Sequence, residues 1–169
     1  MLSLSTLTDE LVAMPETDDE LVAAVNLSTA WHNYFIGATV LGVPAIPAVL
    51  TPARLAMQSV LLADPPKPGI STPGAGAVVF TAALAAYWGT VSGLAAATWV
   101  LVPPLASVVP PPGLAAIQGL LVPIFVTNTA GSLSKPDACA LIAACLHVTV
   151  GLTGLAVNTA GPPVSFPIL

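Results

Sequence analysis

The sequence predicts a mainly α fold: a small bundle of four to five Ala-rich helices with Pro-rich connections and an extended or β-hairpin C-terminal arm. Three observations predict it. Helix-start signals recur along the chain, each a Ser or Thr set before a proline or an acid. The segments behind them are dominated by alanine and leucine, the residues that lose least on becoming helical. Beyond His147 the helical period stops, and β-branched and turn residues take over. The 169 residues form one domain, read as an N-terminal acidic helix or arm (1–16), a helical body (17–147) and an extended arm (148–169).

The elements follow in order. Thr17 with Glu20 has capping-box spacing and starts a helix over about 18–35. "ATVLGVPAIPAVL" at 38–50 holds two prolines and reads as an extended loop over the core. Thr51-Pro52 reads as an N-cap with proline at the first helical position, and its helix ends at "DPPKPG". Thr72-Pro73 repeats that signal ahead of "GAGAVVFTAALAAYWGTV". "VPPPG" at 109–113 breaks the chain before "LAAIQGLLVPIFV". Ser134 with Asp137 starts the helix "ACALIAACLHV". In the arm, Asn158 and Gly161-Pro162-Pro163 mark turns between short apolar runs.

Composition narrows the function classes. Only 7% of residues are charged, against about a quarter in ordinary soluble domains. Six of the eight acids lie at Asp9, Glu10, Glu16, Asp18, Asp19 and Glu20, and no charged side chain stands between Lys67 and Lys135. Three basic residues cannot neutralise a run of phosphates, so no nucleic-acid partner is expected. The mean hydropathy of +0.92 fits either a membrane protein or a subunit that buries most of its surface. The N-terminus has no basic region before its apolar stretch and does not read as a secretory signal, nor does either end carry a lipidation motif.

"VVFTAALAAYWGTVSGLAAATWVLV" at 78–102 is long enough to span a bilayer. Over half of it is Ala, Thr, Ser and Gly, however, which insert poorly. No basic residue flanks it, and prolines follow at once. Burial against another subunit is the better reading. A small polytopic bacterial membrane protein, with two to four spans near 36–50, 78–102, 114–127 and 138–157, is the alternative.

Reactive groups are sparse. His32 and His147 are isolated in sequence, and His32 in "TAWHNYF" reads as a hydrogen-bonded histidine on a helix flank. Cys139 and Cys145 are six apart on one predicted helix, roughly 9 Å along its axis and on different faces, beyond disulfide reach. They read as small hydrophobes, with an intersubunit disulfide as the sharper alternative. Cys145 with His147 makes neither a zinc site nor a nucleophile–base pair. The acids at 16–20 bracket a helix start, where negative charge is favoured, and they lack the alternating pattern of a calcium loop. "GAGA" at 74–77 lacks the lysine of a phosphate loop. No catalytic residue, metal or cofactor is expected. Trp31, Tyr34, Phe35, Phe80, Tyr87 and Trp88 read as core residues; Trp31, Tyr34, Trp88, Trp99 and Phe166 are the candidate interface anchors.

In manner, the Ala/Pro/Gly-rich body, with segments such as "LVPPLASVVPPPGLAAIQGLL" and the tail "GPPVSFPIL", resembles small virion structural proteins of tailed bacteriophages. That resemblance implies a multi-copy, non-enzymatic tail, baseplate, neck or capsid-decorating subunit. Its partners would be copies of itself and other virion subunits, it would assemble in the host cytoplasm, and its C-terminal arm would be available for strand addition to a neighbour. A cofactor-free enzyme is a third reading, without an acid/base constellation to support it.

Overall fold

The computed structural model describes residues 2–63, 72–101, 104–151, 154–158 and 165–169. These residues form seven α-helices and five short strands. The principal helices are α1 (Leu4–Ala13), α2 (Glu20–Phe35), α3 (Thr51–Ala63), α4 (Pro73–Gly93), α6 (Ile117–Thr129) and α7 (Lys135–Leu146), with a single turn, α5, at Ala95–Thr98. Each principal helix packs on the next, and α7 returns to α1, so the six close a circuit around one core. Lys135 Nζ fastens that closure by donating to the Met14 carbonyl beyond the end of α1.

Local chemistry accounts for the helix starts. Ser3 accepts from the Thr6 N–H, Thr72 from Ala75 and Ser134 from Asp137, each satisfying an amide that the first turn leaves free. The start of α2 differs from expectation. Thr17 Oγ1 is taken by the Asp19 N–H, and the carboxylate of Asp19 caps α2 at Val22. An ionised acceptor outcompetes a hydroxyl for that position. Thr51 is not a cap either. A 3₁₀ turn at Pro47–Leu50 precedes it, so the backbone is already helical there (φ −54°, ψ −44°).

The run at 78–102 is not one helix. α4 stops at Gly93, Leu94 closes it with its N–H on Thr90 and Val91 carbonyls, and the chain turns extended at Trp99. The segment 138–157 also breaks, into α7, a π-helical turn (His147–Gly151) and a strand. Segment 36–50 is a two-residue hairpin followed by the 3₁₀ turn. Of the four proposed spans, only Pro73–Gly93 is a helix of membrane-crossing length and apolarity among the described residues.

The expected arm is a strand arrangement in which the body takes part. β3 (Leu105–Val109), hidden in sequence between proline clusters, pairs antiparallel with β4 (Leu155–Asn158), which pairs antiparallel with β5 (Ser165–Pro167). Beyond β5, Ile168 N donates to Gly154 O. The next residue, Leu169, exchanges both backbone bonds with Thr39 in the small β1–β2 hairpin (Thr39–Val40, Val43–Pro44). Successive residues of the tail thus bond to walls on opposite sides, and an isolated bridge from Val40 to Ile168 ties the hairpin to the three-stranded sheet. The hairpin turns at Leu41 and Gly42, both at positive φ, where the glycine carries no penalty.

The centre of the core is aromatic. Phe35 stands edge-on to Tyr87, Trp88 and Trp99, with centroids 5.4, 4.9 and 6.2 Å away, and Trp31 stands edge-on to Tyr87 at 6.2 Å. The indole N–H groups of Trp31, Trp88 and Trp99 and the Tyr87 hydroxyl are buried without a partner. Burying a ring of this size is worth about 4–6 kcal/mol. A lost hydrogen bond costs about 1–3 kcal/mol. Burial therefore wins at each position, with part of its gain offset.

Candidate functional site

The π-helical turn at His147–Gly151 is where the body hands over to the arm, and three glycines fit it into place. A Cβ on Gly113 would collide with the Thr149 backbone, and one on Gly151 with the Tyr34 hydroxyl. One on Gly154 would stand 2.7 Å from Trp88 Cη2 and 3.2 Å from Ile168 Cδ1. From α2, the Tyr34 hydroxyl is hydrogen-bonded to His147 Nδ1 at 2.8 Å, its ring tilted at 72° to the imidazole. Burial pushes the Tyr34 phenol well above its ordinary range and holds the His147 imidazole below its own. Both groups are neutral at pH 7, and Thr149 Oγ1 is engaged in donating to the Cys145 carbonyl. Among the described residues no carboxylate, the orienting group that an acid/base relay uses, is hydrogen-bonded to the pair. Its chemistry is that of a clasp between the first half of the chain and the arm.

The sequence-derived candidates fall elsewhere. Trp31, Tyr34, Trp88 and Trp99 are at most 1% exposed. That corrects their reading as interface anchors: side chains spent on the chain's own core leave no surface for a second subunit. Phe166 is half-buried and packs against the core from the tail. Cys139 and Cys145 are free, half-buried thiols of α7 packed on the core, as small hydrophobes would be. Burial raises both thiol pKa values, partly countered at Cys139 by Lys135 and at Cys145 by the hydrogen bond with Thr149. His32 departs from expectation, since its Nδ1 is buried without a hydrogen-bond partner. Burial, then the nearby Arg54, hold its pKa low.

Glu16 and Asp18 line a shallow groove with Met14, Pro15, Thr17, Ala23, Asn26 and Leu27, while Asp19 is occupied in capping. Glu10 is also engaged, accepting from Asn33 Nδ2 at 3.0 Å and tying α1 to α2. Among the described residues no three His, Cys, Asp or Glu side chains converge on a metal position.

The outer surface carries the more distinctive pattern. Among the described residues, sixteen large hydrophobic side chains are exposed, led by Val100 (67%), Leu41 (63%) and Val148 (61%). The outward face of α4 is Ala75, Val78, Ala82, Ala85, Gly89 and Gly93, a line of small uncharged residues spaced three and four apart. Comparison with protein-family models, with curated proteins and with solved structures returns no match.

Proposed function

We propose that the chain is a non-enzymatic structural subunit of a multi-copy assembly, and in its most specific form a virion component of a tailed bacteriophage. One observation carries the reading: among the described residues sixteen large hydrophobics lie exposed, on a chain without a charged side chain between Lys67 and Lys135. A free monomer keeps itself dispersed with interspersed charge and few exposed apolar side chains. A subunit surrounded by neighbours needs neither, because its interfaces resemble a core cut in half. The tryptophans and tyrosines are consumed internally, so the contact surfaces are aliphatic and small-residue faces such as the outer side of α4.

The test is sedimentation of protein purified without detergent, beside a variant carrying Val100→Lys and Val148→Lys. The reading expects a discrete oligomer that the lysines dissociate while the monomer keeps its fold. A native monomer at all concentrations would refute it. The membrane alternative rests on α4, 21 residues long with an apolar window of mean hydropathy 1.4. It expects the protein to stay with the membrane fraction through a carbonate wash.

A further inference from the structure

We propose that Thr29 and His32 of α2 and Arg54 of α3 form a seat for an oxyanion, a carboxylate or phosphate group. The proposal is independent of the assembly reading. Arg54 carries five N–H donors on a half-buried side chain. Among the described residues its one hydrogen bond runs to Thr29 Oγ1 at 3.5 Å, the outer limit of such a bond. No described carboxylate is bonded to it. Along α2 the first acid back from Thr29 is Glu20, nine residues and about 14 Å away. Glu10 of α1 is taken by Asn33. A guanidinium drawn partly out of water without a counter-ion favours any anion that reaches it.

His32 adds a second donor. Its Nδ1 is buried without a partner, and that decides the tautomer. A buried N–H left unpaired is rarer and costlier than an acceptor left unpaired, so the proton sits on Nε2. Nε2 is not enclosed as Nδ1 is, and its N–H is open to a ligand. Burial first, and then the Arg54 guanidinium, keep the imidazole neutral at pH 7. The Thr29 hydroxyl, accepting from Arg54, keeps its own proton to give. The three groups thus offer donors, which a cation cannot use and an ionised oxyanion matches best. α2 is near its end here and α3 near its beginning. Their dipoles offset one another at this level, and the charge of the seat is that of the guanidinium.

The experiment titrates the full chain with sodium phosphate, and separately with sodium acetate, against sodium chloride at matched ionic strength. ¹H–¹⁵N NMR reads the His32 ring and the Nε–H of Arg54, the chain's only arginine. Two or three charge-assisted bonds on a half-exposed seat support binding in the millimolar range, so both signals should shift together and saturate. His147, held by Tyr34, should not follow that curve. Saturation with both salts supports the seat with a carboxylate as a sufficient ligand, and saturation with phosphate alone supports it for phosphate groups. Arg54→Gln, checked for folding by tryptophan fluorescence, should weaken binding at least about tenfold. Shifts that stay linear in concentration, or that are equal at His32 in native and Arg54→Gln protein, show a general salt effect only and overturn the proposal. If Arg54→Gln does not fold, the native titration decides alone, and absence of saturation overturns the seat.

Discussion

Replacing Gly151 with alanine tests the clasp between α2 and the arm. Gly151 is not at positive φ, so alanine brings no backbone strain there. By restricting the unfolded chain it would alone stabilise by about 0.4–1 kcal/mol. The new methyl falls inside the envelope of the Tyr34 hydroxyl, with Cζ at 3.0 Å and Cε1 at 3.4 Å. Tyr34 cannot step aside, being 1% exposed with Trp31 5.2 Å from its ring centre. Overpacking of this kind costs about 1–3 kcal/mol. Losing the hydrogen bond to His147 adds about 0.5–1.5 kcal/mol. The net expectation is a loss of about 1–4 kcal/mol, after the gain in the unfolded chain is subtracted. Tyr34→Phe alone should cost about 1 kcal/mol, the worth of the hydrogen bond. In Tyr34→Phe/Gly151→Ala the methyl occupies space the hydroxyl vacated, so the double variant should be more stable than Gly151→Ala alone. Urea denaturation followed by the three buried tryptophans measures all four proteins. An unchanged midpoint for Gly151→Ala, or single effects that add within about 0.5 kcal/mol, would refute the reasoning.

Other expectations follow from the same contacts. His32 and His147 are both held below the ordinary imidazole value of about 6.5, so the unfolded chain binds protons that the folded one refuses. Their contribution is therefore fully present above about pH 6.5 and erodes as the pH falls below it; denaturation midpoints in His32→Gln/His147→Gln should lose that part of the acid dependence. Ser134→Ala removes the α7 cap and should cost about 1 kcal/mol, read by the same urea titration. Ile168→Ala should cost about 2–5 kcal/mol and speed amide exchange at Thr39, which bonds to the neighbouring Leu169. With both thiols half-buried and raised in pKa, non-reducing gels of the native protein should show no disulfide ladder; a ladder lost in Cys145→Ser would show an intersubunit bond.

The sequence made the short-range features legible. Thr72-Pro73 and Ser134 with Asp137 mark real helix starts because a cap is decided within four residues. Where two caps compete, as Thr17 and Asp19 do, spacing alone did not choose, and charge did. β3 was invisible because "LASVV" becomes a strand only by pairing with a segment some fifty residues onward. The π-helical turn and its three glycines were missed for a related reason: what excludes a side chain at Gly113 or Gly151 comes from Thr149 and Tyr34, remote in sequence. The tryptophans were legible as buried, but composition cannot tell a core from an interface, and here the core took them.

The closed circuit of helices bears on how the chain is made. Synthesis delivers α1 first, yet Met14 waits for Lys135 and Thr39 waits for Leu169, separations of 121 and 130 residues. Contacts that distant form late, and a ribosome adding about 5–20 residues per second exposes the early helices for many seconds beforehand. The seam cannot shut until Ile168 reaches its place between the two strand edges. A prematurely terminated chain would thus display an open groove and an unsealed core, marks by which quality-control proteases distinguish it from finished subunits.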